Sequence, residues 1–183
     1  MPPLSVGDQL TLPVTDLGHS GDGVARVNDF VVFVPFSVPE DVVQVEVVSV
    51  GKAFARARVL AVETPSPHRV DAPCPVFTQC GGCQLQHIDY SAQLAYKERW
   101  IAETLRRIGG LEVDGVEPVQ PSNQQYRYRD RVRVTRRNSC GTSVIGFISA
   151  DGKRVEAVSD CLLQSSLGDR ILRRLHQLPH EPM

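Results

Sequence analysis

Three of the five cysteines of this chain lie within ten residues, in the segment CPVFTQCGGCQLQH that begins at Cys74. Thiolates are soft, strongly donating ligands, and three of them at spacing C-x5-C-x2-C converge on one metal centre. Two glycines separate Cys80 from Cys83, and without a Cβ they let the backbone turn sharply so that both sulfurs face the same point. The pattern therefore predicts a metal-binding loop.

A closed metal site needs a fourth ligand, because tetrahedral zinc and cubane iron–sulfur clusters both take four. We favour Cys161, which follows an alternating segment that would deliver it at the end of a strand. Cys140 is less suitable because it lies in NSCG, a predicted hairpin tip. Ligand type and count leave open structural zinc, an iron–sulfur cluster and, least favoured in a chain with no secretory features, a disulfide or inert thiols.

The cysteine segment, followed by YSAQLAYK from Tyr90, resembles the iron–sulfur motif of the RNA (uracil-5-)-methyltransferases that modify 23S rRNA, with its CGGCxLQH core intact. Upstream, RARVL ending at Leu60 and SPHR from Ser66 are similar to the end of the TRAM domain of that family. Downstream, YRDR from Tyr128 and IGF from Ile145 resemble blocks of its central domain, although Asp130 stands where the family usually has Asn. The resemblance covers nearly the whole chain.

This resemblance implies a 4Fe–4S cluster as the cofactor, with the ligands Cys74, Cys80, Cys83 and Cys161. It also implies that the catalytic domain, which holds S-adenosylmethionine and the residues that attack uracil, is absent here, so no residue receives a catalytic role. The predicted function is that of the RNA-recognition portion of a 23S rRNA methyltransferase. The alternative is a stand-alone RNA-binding module without catalytic activity, stabilised by zinc or an iron–sulfur cluster.

The first third of the chain predicts a small β-barrel. Short apolar or alternating runs between residues 9 and 63 are separated by turn signals, a pattern typical of a closed barrel. The TRAM resemblance implies the same fold, a five-stranded, OB-like barrel that contacts RNA. We therefore predict a mainly β, α+β protein with a TRAM barrel over residues 1–65, a proline-rich linker over 66–73 and an iron–sulfur central domain over 74–183.

The predicted central domain contains one clear helix and a meander. Helical spacing of apolar residues indicates a helix over Ser91–Ile108, ended by two glycines. Its predicted apolar face is formed by Leu94, Ile101, Leu105 and Ile108, joined by Tyr96 and Trp100. Alternating strands over Ser143–Ile148 and Arg154–Val158 would pack on this helix, and Leu167–Leu175 predicts a second helix with apolar Leu167, Ile171, Leu172 and Leu175.

Arginines recur at every second position in the segment YRYRDRVRVTRR, which starts at Tyr126. In a strand, Arg127, Arg129, Arg131 and Arg133 would project from one face, where four like charges repel unless anions meet them. One interpretation is contact with RNA phosphates. The other is a solvated edge strand, or arginines paired with nearby acidic residues.

Charge and composition restrict the partners further. Residues 1–65 carry four basic and eight acidic side chains, whereas residues 121–140 carry six arginines and one aspartate, so an anionic partner should meet the second half. RNA is the expected partner, and no DNA partner is expected. No stretch is long and apolar enough for a membrane span and the N-terminus is no signal peptide, so we expect a reducing, cytoplasmic setting.

Overall fold

The computed structural model describes residues 3–112, 115–139 and 142–177. The chain forms two compact units: the barrel unit, Met1–Asp71 with Gln84–Gln120, and the cysteine unit, Ala72–Cys83 with Pro121–Met183. This division differs from the predicted boundary at residue 74, because the segment that follows the cysteine loop belongs with the barrel. No described helix is long and apolar enough to cross a membrane.

The barrel unit is built on one mixed sheet. Its strands are β1 (Gln9–Pro13), β2 (Asp16–Leu17), β3 (Gly23–Val27), β4 (Phe30–Val34), β5 (Val42–Val50) and β6 (Phe54–Thr64). Their order in the sheet is β1-β5-β6-β4-β3-β2, and all pairs are antiparallel except the parallel pair of β4 and β6. The sequence predicted β1, β4, β5 and β6 but missed β3.

The sheet closes on itself because β1 and β2 are consecutive parts of one bent strand. Between them, the Val14 N–H donates to the carbonyl oxygen of Asp41 (2.9 Å) and the Thr15 N–H to that of Val24 (2.8 Å). With β1 and β2 counted as one strand, this is the predicted five-stranded barrel. Its core consists of fully buried small and β-branched side chains that face inward at every second position, including Val32, Val43 and Val45.

Helix α1 (Tyr90–Arg107) confirms the predicted helix but packs by a different face. Asp89 caps it by accepting hydrogen bonds from the Ser91 and Ala92 N–H groups. Ala92, Tyr96 and Trp100, spaced four residues apart, lie in a cluster with side chains of the barrel unit that comprises Leu17, Val38, Leu85 and Ile88. The predicted face is wrong at two positions, since Ile101 is 47% and Ile108 83% exposed.

The cysteine unit contains a three-stranded antiparallel meander. Its strands are β7 (Thr135–Ser139), β8 (Thr142–Ile148) and β9 (Val155–Ala157), in the order β7-β8-β9. Gly146 allows β9 to approach, because a Cβ there would lie 1.8 Å from the Glu156 carbonyl oxygen. The predicted strands at β8 and β9 are confirmed. The predicted turn residue Cys140 lies outside the described residues.

Helix α2 (Ser166–Gln177) follows β9 and confirms the second predicted helix. Its buried residues are Asp169 and Leu172, whereas Leu167 and Ile171 are 58% and 54% exposed. The predicted apolar face is therefore wrong at Leu167 and Ile171. A buried carboxylate in the first turn of α2 needs a specific partner, which the site below supplies.

Candidate metal centre and arginine segment

The loop that carries Cys74 and Cys80 is held by backbone hydrogen bonds to the end of β8. The Gly81 N–H donates to the carbonyl oxygen of Ile148 (2.9 Å), and the Ala150 N–H donates to that of Gln79 (2.7 Å). Gly81 favours this close approach, because a Cβ there would lie 3.0 Å from the Ser149 carbonyl oxygen and the loop would have to shift slightly. The cysteine loop thus extends the meander by one short segment.

Within this loop, the thiol of Cys80 is partly buried and hydrogen-bonded. The Gly82 N–H donates to Cys80 Sγ at 3.4 Å. The pKa of Cys80 is raised, first by burial and further by the negative charges of Cys161, Cys74 and Glu156, while the Gly82 bond works against the rise. Cys161 and Cys74 therefore lie close enough to Cys80 to interact electrostatically.

Cys161 lies between β9 and α2, where side chains bind both of its peptide groups. Its N–H donates to Asp169 Oδ1 (3.0 Å), and its carbonyl oxygen accepts from Arg127 Nη1 (3.2 Å). Arg127 and Asp169 also form an ion pair, and a second carboxylate, Asp160, lies 3.3 Å from Arg127 Nη2. The predicted fourth cysteine is thus held in the same unit as the cysteine loop.

All four predicted cysteine ligands are half-buried thiols of the cysteine unit. In the described parts of the chain, no group of three or more His, Cys, Asp or Glu side chains is arranged to hold a metal ion. Sequence reasoning found the cysteines but missed Asp169 and the role of Arg127. The only sequence signal for Asp169 was an acidic residue in the first turn of a predicted helix.

The arginine segment does not form the predicted strand, which is a correction. Strand β7 begins only at Thr135, and the backbone of Arg127 has φ +61°. Residues 127–129 instead bond to the segment before α2: the N–H groups of Arg127 and Arg129 donate to Leu162 and Leu163 (2.8 Å each). The alternation that predicted one common face for the arginines therefore has no strand to support it.

The four predicted arginines consequently differ in their surroundings. Arg127 is paired with two carboxylates, as one of the two sequence interpretations proposed. Arg129 lies with its guanidinium over the ring of Tyr128, 5.9 Å from the centroid. Arg131 and Arg133 are exposed. The exposure of Arg129, Arg131 and Arg133 is compatible with contact to RNA phosphates, whereas the guanidinium of Arg127 is already paired with Asp160 and Asp169.

The barrel unit contains a second polar cluster that the sequence did not reveal. The fully buried Asp41 carboxylate accepts hydrogen bonds from the Val38 N–H (2.6 Å), the Ser66 N–H (2.8 Å) and Arg69 Nε (3.0 Å). Burial tends to raise the pKa of Asp41, but these bonds, led by that of Arg69, hold it below its usual value. Nearby, burial lowers the pKa of His87 to about 4, so this histidine is neutral near pH 7.

Comparison with known proteins finds similarity that extends through both units. The TRAM domain family matches residues 3–60. A protein of Halalkalibacterium halodurans named as an uncharacterized RNA methyltransferase is 37% identical over 179 residues, which is 98% of this chain and 39% of that protein. A protein of Gloeobacter violaceus with the same description is 37% identical over 174 residues, 94% of this chain and 38% of that protein. This chain is therefore similar over nearly its whole length to proteins named as RNA methyltransferases, and its first third matches the TRAM domain.

One solved structure is similar to nearly the whole chain. It is the Pyrococcus abyssi tRNA (uracil-54, C5)-methyltransferase in complex with S-adenosyl-L-homocysteine, which is 27% identical to this chain. The match has a TM-score of 0.58 and covers 91% of this chain and 36% of that one. This chain spans about two fifths of the length of the curated RNA methyltransferases that it matches.

Proposed function

We propose that this chain is the RNA-recognition and 4Fe–4S-binding portion of an S-adenosylmethionine-dependent RNA (uracil-5-)-methyltransferase. The observation that carries the proposal is that similarity to RNA methyltransferases extends through the barrel unit and the cysteine unit alike. No residue of this chain is assigned a step of methyl transfer. Its proposed contribution is to bind and orient RNA for that reaction.

The donor set supports an iron–sulfur cluster. Cys74, Cys80, Cys83 and Cys161 supply four thiols, the usual ligand set of a 4Fe–4S cluster. Each thiolate of such a cluster binds a different iron, so the ligands need not meet around a single ion. An N–H donor at Cys80 Sγ also suits a thiolate ligand, because hydrogen bonds to sulfur tune these clusters. When bound, the cluster would join two segments about eighty residues apart in the chain and stabilise the cysteine unit.

Exposed arginines of the cysteine unit support RNA as the partner. Arg129, Arg131, Arg133, Arg136 and Arg137 are all exposed within one short segment. Residues 1–65, which contain the strands of the barrel unit, carry eight acidic and four basic side chains. We therefore assign the phosphate contacts to the cysteine unit and only a secondary role to the TRAM barrel. The resemblance favours 23S rRNA as the substrate, whereas the solved relative is a tRNA enzyme, and binding experiments can compare these two RNAs.

The cluster is tested by anaerobic purification followed by iron and sulfide analysis. We expect about four irons and four sulfides per chain and a brown colour with absorbance at roughly 400 nm. The Cys83→Ser variant should lose most of the iron. A colourless protein with bound zinc would refute the cluster and favour the stand-alone zinc-stabilised module.

RNA binding is tested by mobility-shift titration with 23S rRNA fragments and tRNA over a range of salt concentrations. Each arginine that contacts a phosphate contributes about 0.7 to the slope of log affinity against log salt for single-stranded RNA. The double variant Arg131→Ala, Arg133→Ala should therefore lower the slope by about 1.4. Lys52→Ala, an exposed basic residue of the barrel unit, is the matched control. An unchanged slope in the double variant would contradict these phosphate contacts.

A further inference from the structure

The peptide of Cys161 is fixed by two charged side chains that the sequence did not connect with the metal site. We propose that Asp169 and Arg127 are positioning residues that hold Cys161 in place as a ligand of the cluster. This inference rests on the cluster of the proposed function. It assigns Arg127, one of the arginines predicted to bind RNA, to the metal centre instead.

The contacts of Asp169 carry the first step. This residue is only 2% exposed, and its two carboxylate oxygens have different partners. Oδ1 accepts the N–H of Cys161 at 3.0 Å, while Oδ2 is bound by Arg127. A buried carboxylate is stable only when it is paired and hydrogen-bonded, so Asp169 and its two partners form one unit.

The contacts of Arg127 complete the arrangement. Its Nη1 donates to the carbonyl oxygens of Cys161 (3.2 Å) and Gln164 (3.3 Å) as well as to Asp169. The two N–H groups of Nη1 are shared among these three acceptors, while Nη2 lies 3.3 Å from Asp160 Oδ1; the planar guanidinium thus spans both carboxylates, whereas a compact ammonium group does not present two nitrogens in this arrangement. The N–H and the C=O of Cys161 are therefore both bound within one ion pair.

The position of Cys161 in the chain explains why side chains are needed. It lies in the eight-residue connection between β9 and α2, where its carbonyl oxygen accepts the Gln164 N–H (3.0 Å) in addition to Arg127, while its N–H is bound by the side chain of Asp169. Backbone bonds hold the later part of this connection, since the Arg129 N–H donates to Leu163 and the Ser165 N–H donates to Arg129. Loss of the Asp169–Arg127 pair would therefore free the Cys161 N–H and leave its carbonyl oxygen bound only by the Gln164 N–H, while the rest of the connection stays attached.

The charges around Cys161 also favour a role of Arg127 and Asp169 in holding the cluster. A thiolate cluster is negative, and an unpaired carboxylate beside it would oppose cluster binding. Arg127 neutralises Asp169, and Asp160 is shared between Arg127 and Arg173. Partners that orient metal ligands typically change metal affinity or activity by about 10- to 100-fold when they are removed.

The test measures how fast the cluster is lost to a chelator under anaerobic conditions, followed by absorbance at roughly 400 nm. The chain carries its reconstituted cluster, and the test variant is Asp169→Asn, which keeps the size of the side chain. We expect cluster loss to be about 10- to 100-fold faster than in the wild type. Arg173→Ala is the control, because Arg173 lies in the same charge cluster but its ion pair is with Asp160 and its side chain is 54% exposed; its rate should change much less than that of Asp169→Asn.

Two further variants separate positioning from a general loss of folding. Arg127→Lys keeps the positive charge near Asp169 but loses the fork, and it should also accelerate loss severalfold. In the background of Cys161→Ser, Asp169→Asn should not lower further the amount of iron that the chain retains after reconstitution, because the ligand that it positions is already absent. Far-UV circular dichroism before chelation verifies that each variant is folded.

The outcomes distinguish this inference from the proposed function. A wild-type chain that never takes up iron overturns the proposed cluster and the inference with it. A wild-type chain that holds the cluster, with unchanged rates of loss in Asp169→Asn and Arg127→Lys, overturns the inference alone. A further fall in retained iron when Asp169→Asn is added to Cys161→Ser would also overturn it, because the effect would then not act through this ligand.

Discussion

The buried ion pair between Arg69 and Asp41 makes a strong prediction about the stability of the barrel unit. The carboxylate of Asp41 is fully buried, and Arg69 binds both of its oxygens while also donating to the Phe36 carbonyl oxygen (3.1 Å). The Arg69 side chain is 21% exposed. Arg69→Ala would remove the charge partner and leave Asp41 with only its backbone donors.

The expected loss of unfolding free energy depends on the hydrogen-bond donors that Asp41 keeps in Arg69→Ala. Removing one partner of a buried ion pair costs about 3–5 kcal/mol, since the other charge stays buried without compensation. Asp41 keeps the N–H groups of Val38 and Ser66, and water can reach the vacated position of a partly exposed arginine. We therefore expect the free energy of unfolding to fall by about 3 kcal/mol, the lower end of that range. Arg58→Ala is the matched control, because its pair with Glu46 is exposed and contributes about 0–1 kcal/mol.

Trp100 provides the assay. It is the only tryptophan, it packs in the barrel unit, and its Nε1–H donates to the Leu17 carbonyl oxygen (2.8 Å). Urea unfolding followed by its fluorescence therefore reports on this unit, independently of the transition of the cysteine unit. A cost for Arg69→Ala no greater than that for Arg58→Ala would refute the reasoning.

The pH dependence provides a second check on the same pair. The pKa of Asp41 is lowered in the folded state, so its contribution to stability is present above the unfolded value of about 3.9 and is lost as pH falls through the folded value. Without Arg69, burial raises the pKa of the Asp41 carboxyl, and it takes up a proton at a higher pH. The stability difference between wild type and Arg69→Ala should therefore begin to shrink above pH 4, as pH falls through the raised pKa of the variant, and should stop shrinking once pH is below the lowered folded pKa of the wild type. A constant difference down to pH 3 would argue against an ion pair.

Two further predictions concern the cysteine loop and a buried histidine. In Gly81→Ala the new Cβ would lie 3.0 and 3.1 Å from two backbone carbonyl oxygens, so the loop must shift and the amount of iron bound per chain should fall. Gly115→Ala is the control, because a Cβ there meets open space. Equal iron content in the two variants would contradict this effect of packing. The pKa of His87 is lowered to about 4, so the unfolded state binds a proton that the folded state does not between about pH 6.5 and 4. The free energy of unfolding, measured by Trp100 fluorescence, should be highest above pH 6.5 and fall by about 3 kcal/mol toward pH 4. His87→Gln should make this decline smaller. The same dependence of stability on pH in wild type and His87→Gln would contradict the prediction.

The barrel was predictable because its signal is local. Alternation in β1 and β5 and the apolar run of β4 each reflect one buried face, and such patterns survive without knowledge of the partner strand. Strand β3, Gly23–Val27, was missed because it follows a cluster of glycines that indicates turns. Its residue Ala25 is fully buried, which only the closed sheet explains.

The helix face in α1 was only partly predictable. Its apolar residues are spread around more than one side, and a large side chain outweighs Ala92 in a pattern based on hydrophobicity. The barrel unit selects the side with Ala92, Tyr96 and Trp100, because a small residue allows close approach and the indole N–H finds a carbonyl oxygen. Sequence spacing identifies a helix but not the surface that it packs against.

The prediction of a strand for the arginine segment was wrong for a related reason. A period of two is shared by a strand and by an extended segment whose backbone bonds elsewhere, so alternation alone cannot distinguish them. The partners of Arg127 are Asp160 and Asp169, which lie 33 and 42 residues further along the chain. Cys161 could be proposed as a ligand from its residue type, because thiolate chemistry is a property of the residue itself, but its predicted place at the end of a strand is not observed, since β9 ends at Ala157. The contacts of its peptide groups are a property of the fold, and they became visible only when the distant carboxylate of Asp169 and the guanidinium of Arg127 were brought together.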